Sequence, residues 1–231
     1  MLDSLAPPDA PDRPAPRSRD YPWMSRECWL EHHERLRTLD PETKRRAELV
    51  FVGDSIVEGW DEAIFADAFA RHHALRFGIG GDTTQNVLYR IAQGELSGLA
   101  PRVVVLLIGT NNFGLEAAPS DAVARGVLSV VRALATELPR ARLVTLAILP
   151  REELPDAELR RGVLAANALV RAGIREPVVF ADVGHHFLDS EGRIPSTLME
   201  DFLHPTREGY RVLTAALEPI LTPWLLGPAP K

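Results

Sequence analysis

The sequence predicts an α/β/α sandwich, in which helices cover both faces of an open, doubly wound sheet of five parallel strands. Three observations carry that prediction. Five short apolar runs, Leu49 to Val52, Ala74 to Phe77, Val103 to Ile108, Leu143 to Ile148 and Val178 to Phe180, are separated by stretches of helical periodicity. Val103 to Ile108 contains no alternating polar residues, as a parallel strand buried on both faces requires. Glycine-rich and polar segments follow the first three runs, where the ligand-binding loops of such a sheet lie beyond the carboxyl ends of its strands.

Taken in order, Met1 to about Asp20 holds Pro7, Pro8, Pro11, Pro14 and Pro16 among aspartates and arginines. Proline lacks an amide donor and its ring stops a helix, so this stretch reads as an extended, linker-like arm, and residues 21–231 read as a single domain. A helix is expected from Ser25 to about Leu39, with Trp29, Leu36 and Leu39 on one side and Pro41 just beyond its end. After the first strand come helical patterns at about Asp61 to Ala70, Thr84 to Gln93, Asp121 to Leu138, Asp156 to Ala172 and Thr206 to Leu221. Strand and helix alternate throughout, and right-handed crossovers then give the doubly wound arrangement, with Val103 to Ile108 at its centre.

Composition narrows the function classes. The 231 residues are 45% hydrophobic and 25% charged, with a net charge of -6, which describes a globular chain able to bury one large core. An acidic balance argues against nucleic acid as a partner. Cys28 is the only cysteine, so no intramolecular disulfide can form and the expected location is cytoplasmic. The first twenty residues offer neither the apolar core of a secretory signal nor a membrane-spanning segment.

Four loops carry residues with chemical potential. Gly53-Asp54-Ser55, directly after the first strand, puts a serine where it can attack a carbonyl, although the tripeptide also reads as an ordinary turn and helix start. Gly78-Ile79-Gly80-Gly81-Asp82-Thr83-Thr84 lets the main chain approach a ligand closely. Its spacing is not Gly-x-Gly-x-x-Gly and no suitable lysine follows, so nucleotide binding is disfavoured. Gly109-Thr110-Asn111-Asn112 ends the central strand with carboxamides that can donate to an oxyanion or simply form a turn. In Asp201-Phe202-Leu203-His204, an acid and an imidazole three residues apart can meet if the segment makes one turn, fixing the tautomer of the ring. Ile56 follows the serine and Leu203 precedes the histidine, so both are candidate walls for the acyl part of a substrate.

Together, in their order and spacing, these four segments resemble the signature blocks of the SGNH, or GDSL, hydrolase superfamily. Within it the resemblance is to the intracellular platelet-activating-factor acetylhydrolase family, on stretches such as Phe51 to Ser55, Phe77 to Thr84, Gly94-Glu95-Leu96, Ile108 to Asn112, Leu149 to Arg151 and Asp201 to His204. It runs from about Trp23 to the final helix and leaves out the proline-rich arm. The resemblance implies a flavodoxin-like sheet and a serine esterase acting on short-chain, chiefly acetyl, esters through an acyl-serine. Ser55 would be the nucleophile, His204 the general base and then acid, and Asp201 its orienting carboxylate. The oxyanion hole would comprise the backbone amides of Ser55 and Gly81 and the side-chain amide of Asn111. No metal or organic cofactor is implied, and a homodimer is.

Related hydrolases deacetylate sugars, cleave lysophospholipids or hydrolyse thioesters, so these remain alternatives, as does a noncatalytic ligand-binding module on the same fold. The chain departs from the family pattern at Gly59-Trp60, which is bulkier than usual after the nucleophile. The pairs His32-His33, His72-His73 and His185-His186 raise the question of a metal. Adjacent side chains diverge on a helix or strand, and no pair has the His-x-x-x-His spacing that brings two ligands together.

Overall fold

A computed structural model describes residues 10–227. Ser25 accepts a hydrogen bond from the Cys28 amide and starts helix α1 (Arg26–Arg37). Pro41 does more than follow that helix. It opens a second, α2 (Pro41–Arg46), capped by Asp40, because a first-turn proline gives up only an amide that would have no helical partner. The chain then runs through β1 (Leu49–Gly53), α3 (Ser55–Glu58), α4 (Glu62–Phe69), β2 (Leu75–Gly78), α5 (Thr84–Ala92), β3 (Val103–Leu107) and α6 (Thr110–Gly114). It continues through α7 (Ser120–Glu137), β4 (Arg142–Leu146), α8 (Glu158–Gly173), β5 (Val179–Ala181) and α9 (Arg207–Leu226).

The strands form one parallel sheet in the order β2-β1-β3-β4-β5. β3 is central, with Val105 opposite Phe51 on one side and Val144 on the other. Because the chain winds one way from β1 to β2 and the other way from β3 onward, the order reverses between β1 and β3. The loops after those two strands therefore diverge and leave a crevice, where open α/β sheets hold their ligands.

Strand residues point alternately to the two faces, which builds two cores. Val50, Val52, Val104 and Leu106 meet Val87 and Ile91 of α5, Val127 and Leu134 of α7 and Ala166 of α8. On the other face Leu49, Phe51, Val103 and Val105 meet Phe65 of α4 and Leu213 and Leu217 of α9. Trp60 belongs to this second core. It is 2% exposed, stacks on Tyr210 at 5.5 Å and donates to Thr214 Oγ1, so its bulk fills the interior and does not reshape the crevice. Of the proline-rich arm, residues 1–9 lie outside the described residues. Arg13 N donates to Ala10 O at 3.0 Å in a turn, residues 14–18 follow without helix or strand, and the segment lies against the domain. Ala10 and Arg17 are buried. Among the described residues no helix is long and apolar enough to cross a membrane.

Candidate active site

Ser55 opens α3 immediately beyond β1, in a tight turn closed by Asp54, whose carboxylate accepts from the Ile56 amide at 3.0 Å. Its Oγ lies 2.9 Å from His204 Nε2, and His204 Nδ1 lies 2.6 Å from Asp201 Oδ2. Asp201 also closes the turn that the sequence suggested. Its Oδ1 accepts from the amides of Leu203 at 3.1 Å and His204 at 2.8 Å. Phe202, at φ 56°, adopts a left-handed conformation that is unfavourable for a bulky residue. Two hydrogen bonds hold it there: its amide donates to Met199 O at 3.1 Å and its carbonyl accepts from Glu152 N at 2.9 Å.

Burial alone would raise the Asp201 carboxyl, but hydrogen bonds from the His204 ring and amide outweigh it and hold the group below its ordinary range. An ionised Asp201 keeps the proton on Nδ1, which leaves Nε2 as an acceptor facing the serine hydroxyl. The side chains of His204 and Asp201 are 43% and 54% exposed, so the site opens directly to solvent.

The glycine-bearing loop closes on the serine, and the asparagine-bearing loop is tied to it. A β-carbon placed on Gly80 would sit 4.0 Å from Ser55 Cβ and 3.7 Å from Met24 Cε. Asn111 Nδ2 donates to Asp82 O at 2.9 Å, which orients the carboxamide and leaves its second N–H for another acceptor. Asn112 lies beneath it, accepting from Thr84 N at 3.0 Å and donating to Gln85 Oε1 at 2.9 Å. Gly109 makes this loop possible. Its φ of 125° suits only glycine, and a β-carbon there would meet Ile148 Cδ1 at 2.7 Å. The Ser55 and Gly81 amides have no acceptor among the described residues.

A buried polar network that the motifs did not reveal underlies these loops. Asp82 accepts from Trp29 Nε1 at 2.6 Å and pairs with Arg90 Nε at 2.8 Å. Arg90 pairs with Glu95 and reaches the carbonyls of Gly53 and Phe77 at 3.2 Å, and Glu95 receives His33 Nδ1 at 2.7 Å. Burial pushes Asp82 up to about 6 despite Arg90, and pushes Asp54 up to about 7. Glu58 accepts from the Gly80 amide at 2.8 Å and lies 3.1 Å from His32 Nδ1. In the sequence, Asp82 and Glu95 stood within stretches that resemble the family, but nothing marked their pairing through Arg90.

The other candidates separate by burial. Ile56 is 2% exposed and part of the second core, while Leu203 is half-buried beside His204. His72 lies 3.3 Å from Glu48, and His185 and His186 are exposed with their rings 4.0 Å apart.

The model of the GDSL-like lipase/acylhydrolase family matches residues 51–212. The human platelet-activating factor acetylhydrolase IB subunit alpha1 is 38% identical over 196 residues, covering 84% of this chain and 82% of that protein. For the rat alpha2 subunit the identity is 36% over 196 residues, with 84% and 83% covered. Among solved structures, a GDSL-like lipase from Bacteroides thetaiotaomicron superposes with a TM-score of 0.66 at 22% identity, covering 85% of this chain and 96% of that one, and shares the fold. Since the matched span takes in all four loops around Ser55, this chain belongs to the GDSL-like lipase/acylhydrolase family and is an ester-hydrolysing enzyme.

Proposed function

We propose that this enzyme is a serine esterase that cleaves short-chain, chiefly acetyl, esters through an acyl-serine intermediate. One observation carries the reading: Ser55 Oγ, the two ring nitrogens of His204 and Asp201 Oδ2 form a continuous chain of contacts of 2.9 and 2.6 Å. His204 takes the Ser55 proton as Oγ attacks the ester carbonyl, while Asp201 holds the tautomer and offsets the charge of the imidazolium. The carbonyl oxygen becomes an oxyanion that receives hydrogen bonds from the Ser55 and Gly81 amides and the second N–H of Asn111. Loss of one such donor typically costs roughly 3 to 4 kcal/mol of transition-state stabilisation. His204 then protonates the leaving alcohol. Water, deprotonated by the same ring, attacks the acyl-serine and frees the acid. Asp54 takes no part in proton transfer and shapes the turn.

Acetyl is the favoured acyl group because the relatives are named acetylhydrolases and because half-buried Leu203 adjoins His204 with a branched apolar side chain, whereas Ile56, expected as a second wall, is buried in the second core. A longer chain has to displace packed atoms, at a cost of roughly 1 to 3 kcal/mol. The relatives' names also make platelet-activating factor the first natural substrate to try. The reading extends to a homodimer, supported by exposed Trp23 and Leu30 near the start of the domain, and to the cytoplasm, supported by the single cysteine.

A fluorophosphonate probe tests the nucleophile: it labels the wild type and fails to label Ser55→Ala. Across p-nitrophenyl acetate, butyrate and octanoate, kcat/KM falls with chain length, and Leu203→Ala narrows the gap. Labelling that survives Ser55→Ala, or octanoate preferred by the wild type, overturns the corresponding half of the reading.

A further inference from the structure

The proline-rich arm runs along the loops that build the site. Thr84 Oγ1 donates to Pro11 O at 2.7 Å, Ala15 N to Gln85 O at 3.0 Å, and Arg19 Nη2 to Leu115 O, just after α6, at 2.7 Å. Arg17 sits between these contacts. Its side chain is 2% exposed, Nη2 donates to Gly80 O and stands 3.9 Å from Asp82 Oδ1, and the rings of Tyr21 and Trp29 lie 5.3 and 5.9 Å from Cζ. A β-carbon on Gly81 would lie 2.9 Å from Arg17 Nη2, so the guanidinium occupies the space that a side chain at Gly81 would need.

The carbonyl of Gly80 and the amide of Gly81 belong to one planar peptide unit and point in opposite directions. Glycines flank that unit on both sides, so little steric hindrance opposes its turning over. Fixing the carbonyl is therefore what fixes the direction of the amide. We propose that Arg17 is a positioning residue, which grips the Gly80 carbonyl and so holds the Gly81 amide aimed at the oxyanion. The proposal rests on the reading of Gly81 as an oxyanion donor. With the grip lost, the peptide is free to rotate and present its carbonyl dipole to the developing negative charge, which raises the barrier without altering ground-state binding.

Arg17→Met is the first test. Nε and Nη1 of Arg17 have no hydrogen-bond partner among the described residues and Asp82 keeps Arg90 at 2.8 Å, but removing one member of a buried charge cluster costs stability, so folding of the variant is checked first. With p-nitrophenyl acetate, kcat falls at least about tenfold while KM stays within about twofold. Arg17→Lys, which keeps the charge and a donor, loses between about twofold and tenfold in kcat and so restores part of the loss. Arg13→Met, on the exposed side of the arm, matches the wild type. Should Arg17→Met fail to fold, Arg17→Lys decides alone, and wild-type kcat in that variant overturns the proposal. So does a rise in KM at unchanged kcat in either variant. If the wild type lacks Ser55-dependent turnover, the esterase reading falls and this one with it. A wild type that turns over beside an equally active Arg17→Met rejects the role of Arg17 alone.

Discussion

Asp54 shows how one buried side chain ties the nucleophile turn to pH. Its carboxylate is 1% exposed and accepts from Ile56 N at 3.0 Å, and burial, reinforced by the neighbouring Asp82 charge, pushes it up to about 7. A carboxyl raised in the folded state binds more protons there than in the unfolded chain, so stability decreases as pH rises from about 4, where the unfolded group ionises, to about 7. Asp54→Asn keeps the acceptor but cannot ionise. Its melting temperature relative to the wild type should climb steadily across that window, by an amount worth a few kcal/mol at the upper end. A constant offset between the two proteins from pH 4 to 7 would show that Asp54 does not titrate there. Ser55, Asp201 and His204 were legible through the order and spacing of the four motifs together, since serine, aspartate and asparagine are each common in turns when taken alone. Arg17 was not legible, since one arginine among prolines carries neither periodicity nor spacing to mark it.

Among the elements, apolar runs gave away the strands, and every run expected as a strand overlaps one in the sheet. A run of residues without polar alternation has few alternatives to a strand buried on both faces. The short helix α6 escaped the sequence reading, and α3 was legible only as the helix start that Asp54 and Ser55 offered, because four or five residues hold too little of a 3.6-residue period to show. The arm shows the opposite difficulty: its composition suggests an extended linker and says nothing of where it docks. Gly126, inside α7, records that docking. A β-carbon there would lie 2.4 Å from Thr84 Oγ1 and 2.7 Å from Pro11 O. Alanine in place of a helix-interior glycine ordinarily stabilises by about 1 kcal/mol. Gly126→Ala is instead expected to lift the arm, so that limited proteolysis cuts faster within residues 10–20 and the melting temperature does not rise. A more stable variant with an equally protected arm would contradict the docking.

At the scale of the molecule, the doubly wound sheet brings three loops from three strands to one crevice and adds a fourth from the segment before α9. That convergence explains why the order of the motifs along the chain was informative: the topology sets Ser55 against His204 and brings Gly80 beside the serine, with Asn111 tied to the same loop through Asp82 O. Trp23 is 58% exposed and stacked on Tyr21 at 4.8 Å, and Leu30 is 47% exposed, which is the apolar surface expected to meet a second copy. Light scattering at micromolar concentrations should give the mass of a dimer, and a monomer throughout would exclude one. The central claim is that Ser55 carries the acyl group during turnover. Acid-quenched mixtures of enzyme and p-nitrophenyl acetate, digested and read by mass spectrometry, should place a transient acetyl group on the peptide containing Ser55, and it should disappear as substrate is exhausted. Acetyl found only on other residues, or full turnover by Ser55→Ala, would contradict the account.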